Sequence, residues 1–471
     1  MKILVAIANY GMKNRSHAEQ LIAEYRSMPF ETDIVVLCEV PKNFDPPVRE
    51  IVGLPAPDPW SLPFSHRTLF VENALKYDLF IYTEDDTLIR EQNIRAFTAA
   101  CEVLPEHLLP GFVRYELRPD GAKTYPDIHG PFHWVPNSIG RSGDYVYADL
   151  SNKHSACYVL TRKQLQRAIR SEGYALAPHR GRYDLLCTAA TDPYTQCGFE
   201  RVICLSHLHD FELHHLPNAY VNRIGLPEDA QRLQLGAIQD VLAQRRSADQ
   251  LFATEKPMAT PAWDKSYYEP VHEDLLRKLP LLARRVLTIG CGAGATEILL
   301  RERSLDVTVM PLDAIIGTLP EQAGIRVLPP NFEQAFARLR GETFDAILVA
   351  DMLQHLPDPV RILSQLRLLL SPGGVLLGNT PNLSFARRCI GRAFDFGHGW
   401  KSLKGSFEQT GLQLTDTRAL KRWLHDAGFK AVEVFFDGAS AIASQRLRRV
   451  AWLAPRSLRA SSVLFVGCIS D

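Results

Sequence analysis

Apolar residues along this chain follow two alternating rhythms, short unbroken runs and stretches with helical spacing. Lys2 to Ala8 is the first run, apolar at nearly every position, as expected of a strand buried on both faces of a parallel sheet. His17 to Met28 then places Ala18, Leu21, Ile22 and Tyr25 on one helical stripe, and Asp33 to Cys38 is a second buried run. Pro41 to Pro63 is too rich in proline for regular structure. A helix is expected over Ser65 to Lys76 and a strand over Asp78 to Tyr82, which leads straight into Thr83-Glu84-Asp85-Asp86. Ser155 to Thr161 reads as a strand entering a helix at Arg162 to Ile169, and Pro227 to Arg246 as a further helix. Alternation of this kind predicts a doubly wound α/β sheet that binds ligands beyond the carboxyl ends of its strands.

The polar stretch Ser247 to Ala262, with Pro257 and Pro261, interrupts the pattern and is expected to be a linker. The alternation then restarts. A helix is expected over Tyr267 to Leu279, and Val286, Leu287 and Ile289 form a strand ending in Gly290, Gly292 and Gly294 with a helix-like segment directly after. Small residues there let a ligand approach the backbone, and the free N–H groups of a helix start point at it. Strands follow at Asp306 to Met310, Ile325 to Leu328, Phe344 to Ala350 and Val375 to Gly378. A helix with Ile362, Leu363, Leu366, Leu369 and Leu370 on one stripe separates the last two. A helix at Arg418 to Ala427 and strands at Lys430 to Phe436 and Val463 to Ile469 complete the series.

With 471 residues the chain exceeds one ordinary core. The expected organisation is therefore two doubly wound, Rossmann-like α/β domains, residues 1–246 and 263–471, joined by the linker 247–262. Charge balances, 53 Lys and Arg against 53 Asp and Glu, which removes any global reason to expect nucleic acid as a partner. The nine scattered cysteines include no CxxC pair and fit reduced thiols in a reducing compartment. No apolar segment is long enough to span a bilayer, so a cytoplasmic location is expected. The tail Gln445 to Arg459 surrounds Val450, Trp452 and Leu453 with five arginines. It is open to two readings, a solvated helix or a peripheral contact with anionic lipid at the inner face of a membrane.

Three consecutive acids after a buried strand repel one another, and a divalent cation is the usual relief. In Tyr77 to Ile89, YDLFIYTEDDTLI, the first half resembles the glycosyltransferases of the GT-A fold, over about Lys2 to Asn222. The resemblance implies a nucleotide-sugar donor whose Mn²⁺ or Mg²⁺ is held by Glu84, Asp85 and Asp86. It implies that the strand Ser155 to Thr161 walls the acceptor side, and that His214 or His215 of SHLHDFELHHLPN closes the metal site. The plain alternatives are a solvated acidic turn and surface histidines; a zinc site lacks a cysteine at ligand spacing. An inverting transfer needs a carboxylate to deprotonate the acceptor, for which Asp192 and Glu200 are candidates, each otherwise a surface charge.

The second half, Tyr267 to Asp471, resembles the class I S-adenosylmethionine-dependent methyltransferases through four motifs in order: IGCGAG, FDAILVADMLQHLPDP, LLSPGG with LLGNTPN, and LKRWLHDAGF. The resemblance implies that Gly290, Gly292 and Gly294 lie against the methionine part and ribose of S-adenosylmethionine. Asp351, Met352 and His355 would border the cofactor and the transferred methyl. His355 is the candidate base, or else a loop histidine serving structure. Thr288 stands where the family carries an acid before the glycines, Pro311 where an acid grips the ribose, and Asn331 where an Asp near the adenine is common. Asp313, two residues beyond Pro311, is the expected substitute. Together the halves suggest a bifunctional enzyme that glycosylates and methylates a glycan or lipid-linked glycan acceptor. The alternatives are one active glycosyltransferase with a methyltransferase-like scaffold, and a glycan-binding module serving an active methyltransferase.

Overall fold

The computed structural model describes residues 1–45, 47–126, 133–135, 138–154, 156–180, 183–221, 223, 226–247, 251, 253–256, 263, 265–384, 386–389, 400, 403, 405–437 and 460–469. The arginine-rich tail and most of the expected linker lie outside them. The chain divides into two compact units, Met1–Arg232 and Leu233–Asp471. The boundary falls inside the helix Glu228–Leu242, some fifteen residues before the expected linker.

The first unit is built on a five-stranded sheet of β1 (Lys2–Ala8), β2 (Glu31–Cys38), β3 (Arg49–Val52), β4 (Leu79–Glu84) and β5 (Cys157–Thr161). Its order is β5-β4-β1-β2-β3, parallel except for β5, which runs antiparallel along β4. The all-apolar run of β1 pairs on both sides, and Ile3, Val5, Ala6 and Ile7 have no exposure at all. Burying a large aliphatic side chain is worth about 1.5–3 kcal/mol. The expectation of irregular structure over Pro41 to Pro63 missed β3. That strand sits at a sheet edge, where two apolar residues suffice because only one side pairs.

Two smaller sheets, not foreseen from the pattern, complete this unit. One joins Leu108–Pro110, Glu200–Cys204, Tyr145–Ala148 and Gly140–Ser142; the other joins Leu226–Pro227, Lys123–Tyr125, Val113–Leu117, Glu212–His215 and Thr87–Leu88. The helix Leu185–Thr195 was also missed, because Pro193 sits within its last turn. On that helix Asp192 is fully buried, and Arg67 from the helix Ser65–Glu72 pairs with it through Nη2. The guanidinium also lies 4.3 Å from the Phe64 ring centroid and donates to the Leu176 carbonyl oxygen at 3.1 Å.

The second unit carries a seven-stranded sheet: β6 (Arg285–Cys291), β7 (Asp306–Pro311), β8 (Arg326–Val327), β9 (Phe344–Ala350), β10 (Leu370–Pro381), β11 (Ala431–Asp437) and β12 (Ser462–Cys468). The order is β8-β7-β6-β9-β10-β12-β11, with β12 antiparallel to both neighbours and the other pairings parallel. The helix Pro359–Leu368 begins with an Asp358 side chain accepting from Arg361 N–H and Pro359 in the first turn, and it buries Ile362, Leu363 and Leu366. Only Glu273–Leu276 of the expected helix Tyr267 to Leu279 is helical. The residues before it form a strap, described below. Among the described residues no helix is long and apolar enough to cross a membrane.

Candidate functional site

Each main sheet has a point where the chain order reverses. In the first unit the chain leaves β1 outward through β2 and β3 and returns on the other side as β4; in the second it leaves β6 through β7 and β8 and returns as β9. Ligands of open α/β sheets bind in the crevice beyond the strand ends at such points. The residues singled out from the sequence fall at both.

In the first unit Glu84 ends β4, and a turn at Asp85 and Asp86 leads into the strand Thr87–Leu88. That strand pairs antiparallel with Glu212–His215, so the late histidines do arrive beside the acids. Only one of them faces the acids. His215 Nε2 lies 3.4 Å from Asp86 and its Nδ1 lies 2.5 Å from the fully buried Glu116, whereas His214 stacks on Tyr115 and bonds Asn218. Asp85 accepts from Asn9 Nδ2 at 2.6 Å and Asn14 Nδ2 at 2.8 Å, and Glu84 Oε1 is buried with no partner.

Burial, reinforced by Asp86 and Asp85, pushes the Glu84 carboxyl up to about 8; burial and Asp86 push Asp85 up to about 7 despite the two asparagine amides. Burial opposes charge on His215 too, but its bonds to Asp86 and Glu116 win and raise it to about 9. At neutral pH it is therefore a cation in this arrangement. Among the described residues no three His, Cys, Asp or Glu side chains are placed to hold a metal ion. Asp85 and Asp86 as arranged are held by asparagine amides and an imidazolium, while Glu84 Oε1 has no partner. The two candidate bases do not join them. Asp192 is committed to Arg67, and Glu200 opens the strand Glu200–Cys204, exposed, opposite Leu108.

In the second unit β6 carries a bulge at Gly290 (φ +78°), where register against β7 shifts. A Cβ there would sit 3.1 Å from Met352 Sδ, which places the first residue after Asp351 against the glycine turn. Gly292 is pressed against the strap: a Cβ would lie 2.3 Å from the Tyr267 carbonyl oxygen, to which Ala293 N–H donates at 2.7 Å. Gly294 (φ +90°) starts the helix Ala295–Glu302. Two of the three glycines are thus required by backbone conformation and one by the closeness of another chain segment.

Asp351 follows β9 in a left-handed conformation (φ +46°) and is fixed by Asn379 of β10. Its N–H donates to the Asn379 carbonyl oxygen at 3.1 Å and to Oδ1 at 3.0 Å, and Asn379 Nδ2 donates to its carboxylate at 3.3 Å. His355 ends the short helix Leu353–His355 with no exposure, and neither ring nitrogen has a hydrogen-bond partner. Burial first, then the charges of Lys256 and Lys265, lower it to about 3. It is a neutral imidazole across the physiological range. A buried ring with both nitrogens unused fits a site that awaits a hydrogen-bonding ligand.

The residues near the departures from the family pattern act locally. Pro311 ends β7 and packs by Gly317; Asp313, 1% exposed and raised to about 6 by burial, accepts Ile316 N–H at 2.8 Å. Asn331 caps the helix Phe332–Arg338 by accepting Gln334 N–H at 3.1 Å. Thr288 is buried with its hydroxyl unpartnered. Residues inside the expected linker also serve this unit: Glu255 accepts Phe332 N–H at 2.7 Å and Lys256 lies 5.2 Å from the Tyr267 ring centroid. Nothing in their spacing marks them.

Comparison with known proteins bears on this second site. Residues 252–434 match the family described as "Methyltransferase domain". The "Ubiquinone biosynthesis O-methyltransferase" of Dinoroseobacter shibae is 31% identical over 169 residues, which cover 31% of this chain and 67% of that protein. This chain belongs to the class I S-adenosylmethionine-dependent methyltransferases. It does so through its second unit. The protein of the same description from Histophilus somni is 32% identical over 146 residues, 27% of this chain and 61% of that one. The match spans from about half to two thirds of the length of curated relatives of this description. The crystal structure of a SAM dependent methyltransferase from Archaeoglobus fulgidus shares 18% identity over 41% of this chain and 91% of that one, with a TM-score of 0.32.

Proposed function

We propose that the second unit transfers a methyl group from S-adenosylmethionine to a hydroxyl oxygen of a small acceptor, with His355 receiving the hydroxyl proton. The observation that carries this is the fully buried, neutral His355 with two unused ring nitrogens. It lies three residues beyond Met352, which itself packs on the glycine turn. Bound there, the cofactor supplies an electrophilic methyl on a sulfonium. An acceptor hydroxyl that took this methyl would give up its proton, and His355 is the residue that would receive it. Gly290 and Gly292 let Met352 and the strap close on the turn, and Asn379 holds Asp351 at its edge. An imidazole lowered to about 3 is a weak base, so it deprotonates a phenol-like hydroxyl more readily than a sugar alcohol. The relatives named for ubiquinone biosynthesis favour the same choice over the glycan hydroxyl expected from the sequence. Calorimetric titration of the full chain with S-adenosylmethionine tests the reading. Micromolar binding is expected. No binding by protein shown to be folded would reduce the second unit to a scaffold.

The first unit, on a second reading, binds a nucleotide-sugar and passes the sugar to a glycan or lipid-linked acceptor. What favours it is the placing of Glu84, Asp85 and Asp86 at the switch point, with two carboxyls held close to neutral charge and Glu84 Oε1 unpartnered. Clustered acids in that state gain from a divalent cation, Mn²⁺ or Mg²⁺, which would have to displace the amide and imidazolium contacts present. Titration with uridine, guanosine and thymidine diphosphates, with and without Mn²⁺, is expected to show binding that needs the cation and is lost in Asp86→Ala. Binding indifferent to Mn²⁺ would leave a glycan-binding module instead.

A further inference from the structure

The strap before β6 crosses the glycine turn and brings a buried pair of opposite charges to it. Lys265, 1% exposed at its side chain, donates to the carbonyl oxygen of Ala350, the last residue of β9, at 2.5 Å. Its ammonium is 3.0 Å from Glu269 Oε1, and His272 lies 3.1 Å from the other oxygen. Tyr267 between them accepts from Ala293, and His272 N–H donates to Thr296 Oγ1 at 3.0 Å, so the strap is tied to the turn at both ends. Glu297, 4% exposed, rises from the first turn of the following helix on the same side. Alongside, Thr288 Oγ1 is buried without a partner at the position where the family carries an acid.

Burying an ammonium and a carboxylate rarely adds stability; replacing such a pair by apolar residues of like volume is often neutral or better. A pair kept at a ligand crevice therefore asks for a reason in the ligand. The one end of S-adenosylmethionine that carries both signs is its amino-acid head, an α-carboxylate beside an α-ammonium. We infer that Lys265 and Glu269 read this head, the lysine taking the carboxylate and the glutamate the ammonium, in place of the acid that Thr288 lacks. This rests on the methyltransferase reading above and assigns the cofactor's orientation to residues outside all four sequence motifs. Two charge-assisted hydrogen bonds of this kind offset the one carboxylate missing at Thr288.

The test compares ligands with and without the head. Binding of S-adenosylmethionine, S-adenosylhomocysteine and 5′-methylthioadenosine, which lacks the amino-acid part, is measured by calorimetry on the full chain. The variants are Glu269→Gln and the doubly neutral Lys265→Gln/Glu269→Gln, with a thermal melt of each. The double variant removes both members of the pair together and, with the melts, separates lost binding from a folding defect. Tenfold or greater weakening of the two amino-acid ligands, with 5′-methylthioadenosine within twofold of its wild-type affinity, is the expected result. Equal weakening of all three would mark the pair as structural, and unchanged binding would overturn the assignment. Wild-type protein that binds none of the three defeats the methyltransferase reading itself, a distinct outcome.

Discussion

His355→Gln should lower methyl transfer by about 10²-fold, the low end for a general base because the ring is a weak one, while leaving the affinity for S-adenosylmethionine within a few-fold of wild type. Gln is close in size and keeps a polar tip but takes no proton, and positioned general bases contribute at least a factor of that size. Because burial and two lysines lower the imidazole to about 3, kcat/KM of the wild type should show no fall from this group between pH 8 and 5. Stability carries the opposite signature. The folded group stays neutral while the unfolded one takes a proton below about 6.5. Folding therefore loses stability as pH drops through that value, by about 1.4 kcal/mol at pH 5.5. Denaturant melts at pH 7.5 and 5.5 check it. The Gln variant should lack that increment, and a variant with full activity would return His355 to a structural role.

Arg67→Met should destabilise the first unit by about 3–5 kcal/mol, because it takes the guanidinium from the fully buried Asp192 carboxylate and leaves it His179 and the Thr195 hydroxyl. Hydrogen exchange, read segment by segment, suits a chain of two units. Protection should fall in β1, β4 and Leu185–Thr195 and stay unchanged in β6 and β9. Adding Asp192→Leu should restore most of the loss, since two apolar residues replace the ion pair. The experiment also decides between two views of Asp192. A general base would cost sugar transfer and little stability when changed to Asn; an anchor costs stability first.

Much of this fold is legible in the amino-acid order, and for a definite reason. Strands buried on both faces, such as β1 and β9, are apolar at nearly every position, and their shortness sets them apart from buried helices. The glycine turn and the acids are legible because each violates a local rule, one by conformation and the other by repulsion. What stayed hidden is held by long-range partners. β3 is an edge strand of four residues; the small sheets of the first unit use strands of two to five. The first residues of the helix expected over Tyr267 to Leu279 belong to the strap instead, where Lys265 and Glu269 pair across a turn at 267–268. That His215 and not His214 meets Asp86 depends on the register of a two-residue pairing, which no single-sequence pattern encodes.

The grip of Asn379 on Asp351 has a bearing on how the protein is made. β10 is flanked on one side by β9 and on the other by β12, and Asn379 pairs with Ala350 across one edge and Leu464 across the other. β12 comes from residues 462–468, more than eighty residues after β10 is synthesised. Until those residues leave the ribosome, β10 is an open edge and the carboxylate it orients is unsupported. The crevice beside β10 is therefore completed only after β12 has been made. A ribosome that stops short of β12 releases a first unit whose own sheet is complete, joined to a second with an adhesive edge and no working site.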